Sequence, residues 1–382
     1  MTVNDILRPI AVFLSLASVA GVAGAAAPDA SERTTVFAAG ADGYHTYRIP
    51  AAIVTKAGTV LAFAEGRKNA GGDSGDIDLL VKRSTDGGKI FGEQKIVWDD
   101  GENTCGNPCV VIDDASGKIV LLMTHNLGTD KEPGLTTGES QGTRTVWVTS
   151  SDDNGQTWTT PREITKDVSK PSWTWYATGP GVGIQLKHGP HKGRLVIPCD
   201  HVVKPGGIGT GNSHVIFSDD AGATWHLGGE APKNEFNESQ IVELSDPPGR
   251  LMLNMRNFAP AAKAGAPKQR GVCVSDDGGA TFHDLRRDPT LIEPLCQASI
   301  LRFDEKRILF ANPASEKRER MTVRMSEDDG ATWTSSREIY RGPSAYSCLI
   351  VLPDKTVGLL YECGTKRAYE QIEFARFSAE SK

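Results

Sequence analysis

The chain has no basic excess: 42 lysines and arginines stand against 48 aspartates and glutamates in 382 residues, for a formal net charge of −6. A nucleic-acid partner would call for a basic field, so none is expected. No segment of useful length beyond residue 27 has helical periodicity, and no apolar run there is long enough to cross a membrane as a helix. Cysteine is sparse and odd in number, seven in all. At least one thiol is therefore free or intermolecular. Cys105 and Cys109 enclose Gly-Asn-Pro without a companion cluster, so no metal site is indicated. The favoured reading is small buried hydrophobes, with one or two bridges allowed by export. There is no glycine-rich phosphate loop. With 38% hydrophobic and 24% charged residues, the chain is neither disordered nor collagen-like.

The first 27 residues stand apart from the rest. Arg8 is followed by an apolar, small-residue run from Pro9 to Ala27, and the chain turns polar after Pro28. This is the pattern of an export signal with an exit near Ala25 or Ala27; a retained anchor is the weaker alternative. The expected organisation is a secretory signal over 1–27 and one domain over 28–382. The destination is then periplasmic, secreted or cell-surface.

Repetition is the strongest positive signal. The pattern Ser-x-Asp-x-Gly-x-x-Trp/Phe begins at Ser84, Ser151, Ser218, Ser275 and Ser326, at intervals of 67, 67, 57 and 51 residues. Its chemistry is that of a turn: aspartate accepts backbone N–H bonds, glycine takes a conformation other residues resist, and the ring packs on the hairpin. The acidic ligands fall short of a twelve-residue calcium loop. These are five staples, not five active sites.

A second count gives six. Apolar segments follow turns at Gly58, Gly117, Gly193, Gly249, Lys306 and Lys355, each preceded by another β-like stretch. The first and last are 297 residues apart over five steps, about 59 per unit, which suits four strands and their loops. Repeated sheets whose apolar faces need neighbours close most simply as a propeller. The expected fold class is all-β, a six-bladed β-propeller of four-stranded antiparallel sheets with repeated Asp-box turns. A degenerate last box would explain five copies. Much of the glycine, 41 residues, serves such turns.

The start of a hairpin's first strand and the end of its second lie at one end. These positions hold Arg48 and Arg67 in unit one, Glu238 and Arg256 in unit four, and Tyr346 and Glu362 in unit six, while Arg318 follows the second strand of unit five. A ring of hairpins gathers them at one mouth. Singly, each arginine reads as a solvated strand-end charge; jointly they interrupt apolar strands at matching positions. Clustered arginines suit a planar anion, above all a carboxylate held bidentately, with Glu362 placed to orient Arg48. Glu238 and Glu362 alone would suggest an ordinary glycosidase pair.

YRIP around Arg48, AEGR around Arg67, the repeated boxes, NESQ around Glu238, NMRN around Arg256 and LLYE around Glu362 resemble the signatures of the bacterial-type exo-α-sialidases, or neuraminidases. The resemblance spans about residues 42 to 374. It implies a six-bladed propeller that hydrolyses terminal sialic acids from glycoproteins, glycolipids and oligosaccharides with retention, through a tyrosyl-sugar intermediate, and without a cofactor. Carried over, Arg48, Arg256 and Arg318 would clamp the sugar carboxylate, and Arg67 would lie near the acetamido side. Tyr346 would be the nucleophile, Glu238 its base, Asp73 the acid/base and Glu362 the support of Arg48. Sialidases are the established tyrosine exception to the two-carboxylate scheme of glycosidases.

Rivals stay open at three positions: Asp76 and Asp78 beside Asp73, Lys317 and Arg320 beside Arg318, and Tyr361 beside Tyr346. Trp173, Trp175 and Tyr176 either wall the site or cover the propeller face. His125 and Asp200 end second strands near the mouth without an assigned role. The expected partners are sialylated glycans, with no nucleic acid and no stable membrane insertion; the oligomeric state is left open. The alternatives are a propeller that binds sialoglycans without hydrolysis, and a trans-sialidase or intramolecular trans-sialidase.

Overall fold

The computed structural model describes residues 32–204, 211–259 and 265–380; the expected leader over 1–27 lies outside them. The described residues are predominantly β. The exceptions are two short helices, Glu132–Thr137 and Thr165–Val168, so no helix among them is long and apolar enough to cross a membrane.

Six sets of antiparallel strands succeed one another. The first is Thr46–Val54, Val60–Arg67, Ile77–Ser84 and Lys95–Trp98. The second is Thr104–Ile112, Ile119–Asn126, Thr145–Ser151 and Arg162–Glu163. The third combines Trp173–Thr178 and Ile184–Gln185 with Leu195–Val203, Gly211–Ser218 and His226–Glu230. The fourth is Phe236–Glu243, Leu251–Asn257, Gln269–Ser275 and His283–Ile292. The fifth is Ser299–Arg302, Ile308–Pro313, Glu319–Ser326 and the first half of the long strand Ser335–Val351. The second half of that strand opens the sixth, with Val357–Cys363, Gln371–Phe377 and, from the other end of the chain, Glu32–Ala38.

The third and fourth sets are separate sheets of five and four strands, whereas hydrogen bonds fuse the first set with the second and the fifth with the sixth. Ser335–Val351 serves two sets, and a parallel bridge from Ile77 to Thr104 joins the first two.

The continuous apolar runs follow from burial on both faces of each strand. In Val60–Arg67, Val60, Ala62 and Ala64 pack toward the sixth set, whereas Leu61 and Phe63 pack toward the second. Further clusters fill the spaces between the remaining successive sets. The cluster between the first and the sixth joins Tyr47, Val60 and Leu80 to Cys348, Ile350, Leu360 and Phe374. The architecture is propeller-like. All seven cysteines are buried and free, so the allowance for one or two disulfides is corrected. The thiols act as small apolar groups on strands, Cys105, Cys109, Cys199, Cys273, Cys348 and Cys363 within these inter-set clusters.

The repeated turns share one geometry. Ser84 Oγ donates to Asp86 at 2.7 Å and accepts from Gly88 N–H at 2.9 Å, and Asp86 also accepts from Ile90 N–H at 3.0 Å. The same bonds recur from Ser151, Ser218, Ser275 and Ser326. Each turn joins the third strand of a set to its fourth. In the sixth set the fourth strand is Glu32–Ala38, so no such loop exists to hold another copy. The expected degenerate last box is corrected on that ground.

Gly88 tests the packing between the first and last sets. Its φ is +87° and an added Cβ would lie 2.1 Å from the Phe374 ring, whereas Gly43 has the same φ with nothing within 4 Å. Both substitutions to alanine carry the backbone cost, so Gly88→Ala should cost about 1–3 kcal/mol more than Gly43→Ala in urea unfolding. Equal losses would contradict a tight seam there.

Candidate active site

Register shifts interrupt the first strands of four sets. They fall between Arg48 and Ala51, Gly106 and Cys109, Phe236 and Ser239, and Ser344 and Ser347. Each bulge carries a polar side chain: Arg48, Asn107, Glu238 and Tyr346. An extra residue breaks the in-out alternation, which is how a charged group can leave a strand buried on both faces. Ile49 and Asn107 take positive φ, +60° and +53°, and for a β-branched isoleucine this is strain that its surroundings must hold.

Glu362 provides that hold. Wholly buried, it accepts from Arg48 Nε at 2.7 Å, Ile49 N–H at 2.9 Å and Tyr346 N–H at 3.1 Å. Tyr346 donates its hydroxyl to Glu238 in a very short hydrogen bond. Arg256 Nη1 donates to the other Glu238 oxygen at 2.5 Å and to the Tyr346 hydroxyl at 3.2 Å. The Arg48 and Arg318 guanidinium carbons lie 5.2 and 5.5 Å from the Tyr346 ring centre. Arg318 donates to the Tyr369 hydroxyl at 2.6 Å and to the Leu295 carbonyl at 2.8 Å. Arg48, Arg256 and Arg318 therefore surround one tyrosine.

Arg67 is buried and donates to Glu65 Oε2 from Nε and Nη2, at 3.1 and 2.7 Å. Its Nη1 reaches Asp73 at 2.7 Å, and Arg48 Nη1 is 3.9 Å from the same carboxylate oxygen. Asp73 is 60% exposed and open to the mouth. The rivals lie elsewhere. Asp76 and Asp78 pair with Lys68, and Asp78 also accepts from Tyr44. Lys317 is exposed, and Arg320 pairs with Glu338. Tyr361 is buried between the fifth and sixth sets and donates to Glu373.

Burial pushes the Tyr346 phenol well above its usual range and Glu238 adds to this, while Arg256 and Arg318 oppose it. Burial works against the charges of Arg48 and Arg256, but Glu362 beside the one and Glu238 beside the other keep both firmly ionised. At Asp73 partial loss of solvent within the mouth favours the neutral acid, yet Arg67 and Arg48 outweigh it and hold the carboxyl below its usual range.

The model of the BNR repeat-like domain family matches residues 58–361. The sialidase of Micromonospora viridifaciens is 35% identical over 98% of this chain and 62% of its own length. An exo-alpha-sialidase of Arthroderma benhamiae is 32% identical over 88% of this chain and 84% of its own. The chain belongs to the sialidase family. Among solved structures, a Hadza microbial sialidase is 31% identical with a TM-score of 0.79, covering 91% of this chain and 68% of that one. The chain spans about six tenths of the Micromonospora and Bacteroides fragilis sialidases it matches.

In this family member the Trp173–Tyr176 segment divides. Trp173 is buried and stacks on His201 at 3.6 Å, and Tyr176 is buried against His214. Trp175 alone stands at the mouth, under the Arg144 guanidinium at 4.2 Å and donating to Asp200 at 3.3 Å. His125 pairs with Asp100 and stacks on Trp98. Four residues escaped the sequence reading. Glu65 clamps Arg67 and accepts from Asn107 N–H at 2.9 Å, Asn107 holds Arg144 at 2.7 Å, and the Arg48 guanidinium stacks on Tyr369 at 4.1 Å. Glu65 had a usable signal: two charges two residues apart, on one face of an apolar strand. Among the described residues no group of acidic, histidine or cysteine side chains is arranged to hold a metal.

Asp200 is 2% exposed, and burial, then Glu238, push its carboxyl well above the usual range. The fold therefore keeps a proton that the unfolded chain releases above about pH 4. Its contribution is complete below that pH and is lost as pH rises toward the folded value, at up to about 1.4 kcal/mol per pH unit. Asp200→Asn should remove this slope, so the variant gains on wild type as the pH of urea unfolding is raised from 4. A constant difference across pH would contradict a neutral Asp200.

Proposed function

We propose that the chain is a retaining exo-α-sialidase that hydrolyses terminal sialic acids from glycoproteins, glycolipids and oligosaccharides through a tyrosyl-sugar intermediate. The observation that carries this reading is the Tyr346–Glu238 hydrogen bond, with Arg256 donating to both partners.

The anomeric carbon of a sialic acid is fully substituted and bears a carboxylate. A carboxylate nucleophile would meet that charge with repulsion; a neutral phenol does not. Tyr346 is too weak an acid to ionise unaided, so Glu238 takes its proton as the oxygen attacks. Arg256 stands where negative charge grows on the phenol oxygen. Arg48, Arg256 and Arg318 hold the sugar carboxylate and orient the anomeric carbon toward Tyr346. Glu362 fixes Arg48, and Arg67 lies toward the acetamido side. Asp73 protonates the leaving oxygen and later takes a proton from the water that opens the tyrosyl-sugar bond. No cofactor enters this scheme.

In the same reading the six strand sets are the blades of one closed ring formed by residues 28–382. Residues 1–27 direct export to the periplasm, the cell surface or the medium, where sialylated glycans are met.

An NMR time course on 3′- and 6′-sialyllactose should reveal free sialic acid with the α anomer first. First-formed β anomer would contradict retention. An anhydro sugar, or transfer to an added galactoside, would assign a transferase, and intact ligand would leave a binding protein. Tyr346→Phe removes the nucleophile and should lower turnover about a hundredfold or more. Unchanged turnover would take Tyr346 out of the role.

A further inference from the structure

The three arginines gathered at Tyr346 are not held alike. Glu362 pairs with Arg48 at 2.7 Å and Glu238 with Arg256 at 2.5 Å, each through a carboxylate. The guanidinium of Arg318 donates instead to two neutral oxygens, the Tyr369 hydroxyl at 2.6 Å and the Leu295 carbonyl at 2.8 Å. Tyr369 also meets a second arginine, since the Arg48 guanidinium carbon lies 4.1 Å from its ring centre. One half-buried side chain thus touches two arginines at once, one with its face and the other with its oxygen. Arg48 comes from the first strand set, Arg318 from the fifth, and Tyr369 enters from the sixth.

The loop that presents Tyr369 is fastened on both sides of it. Residues 364–370 join Val357–Cys363 to Gln371–Phe377. Glu370 turns its carboxylate back on the loop and accepts from the N–H groups of Thr365, Lys366 and Arg367 at 2.8, 3.1 and 3.0 Å, and from the Thr365 hydroxyl at 3.1 Å. The turn is tight: a Cβ on Gly364 would lie 2.2 Å from the Arg367 carbonyl oxygen. Gly364 N–H bonds the Pro343 carbonyl at 3.2 Å, and its own carbonyl accepts from the Tyr340 hydroxyl at 2.8 Å. The Glu370 carbonyl accepts from Ala39 N–H at 2.9 Å. Ala368 is buried with Ile49, Cys296, Ala345 and Tyr346, and Tyr369 packs against this cluster.

Like charges aimed at one substrate carboxylate repel each other before the substrate arrives. A carboxylate placed between Arg48 and Arg318 would relieve this, but it would compete with the substrate for the same N–H groups. A phenol orients both without neutralising either: its oxygen accepts one N–H bond and its ring face attracts the other cation. We propose that Tyr369 is a positioning residue of the arginine clamp, setting the separation and orientation of Arg48 and Arg318 for the sugar carboxylate. It acts through these two side chains, and the assignment rests on the sialidase reading above. Because the clamp holds the carboxylate before and during bond breaking alike, the effect belongs to substrate binding more than to turnover.

The test is steady-state cleavage of 3′-sialyllactose by variants that separate the oxygen from the ring. Tyr369→Phe removes the oxygen alone and should raise KM about tenfold with kcat within about threefold. Tyr369→Leu removes the ring face as well and should raise KM by about a further threefold or more. In an Arg318→Ala background the hydroxyl has no guanidinium left to orient, so Tyr369→Phe should change kcat/KM by less than about twofold. The same loss with and without Arg318 would mark a merely structural role, and an unchanged KM or a loss confined to kcat would take Tyr369 out of the clamp; each overturns the proposal. Wild type that releases no sialic acid would overturn the sialidase reading itself and this assignment with it, a failure distinct from these.

Discussion

The buried carboxylate of Glu362 is the constraint on which the rest of the structure turns. It is on the second strand of the sixth set and binds a side chain and a backbone N–H of the first set at Arg48 and Ile49, together with the backbone of Tyr346 in its own. One residue thus ties the first set to the sixth and sets Arg48 beside Tyr346. A buried carboxylate with these three partners is tolerable only because all are present. Removing one partner of such a pair costs about 3–5 kcal/mol. The left-handed Ile49 belongs to the same arrangement, since its N–H is held by the oxygen that holds Arg48. The contacts that join the first set to the sixth therefore also position the site, alongside the apolar cluster between those sets and Glu32–Ala38 as outer strand of the last.

Around this tie the charges are arranged as alternating neighbours. Glu238 accepts from both Arg256 and Tyr346, Glu362 steadies Arg48, and Glu65 saturates one side of Arg67. Arg48 and Arg256 keep their charge despite burial because Glu362 lies beside the one and Glu238 beside the other. A net charge of −6 thus coexists with a gathering of arginines at one mouth, each beside a carboxylate or phenol, and the acidic surplus lies partly in the turns that staple the outer strands.

Much of this was legible before any coordinates. Hairpin counting placed Arg48, Arg67, Glu238, Arg256, Tyr346 and Glu362 at one end because strand ends have fixed partners, and those residues do meet. The five boxes were legible as turns because serine, aspartate and glycine have few other ways to combine. What escaped depended on events with no periodic signature. The bulges that re-aim Arg48 and Tyr346 are one-residue slips. Tyr369 enters from a loop, and Arg144 ends a connection of no regular pattern. The sixth box was expected because a linear count cannot see that the outer strand of the last set comes from the chain's beginning. Trp173 and Tyr176 look like a sugar-binding wall in sequence, yet strand pairing with Leu195–Val203 puts both in the core and only Trp175 at the mouth.

The central claim is that Tyr346 forms a bond to the sugar. A fluorinated sialosyl fluoride, whose electron-poor ring slows breakdown of a covalent intermediate, would trap that species, and peptide mass mapping would locate it. The account requires one sialosyl adduct per chain, carried on Tyr346. An adduct on Asp73, Glu238 or another carboxylate, or rapid turnover of the reagent with no adduct on any residue, would contradict it.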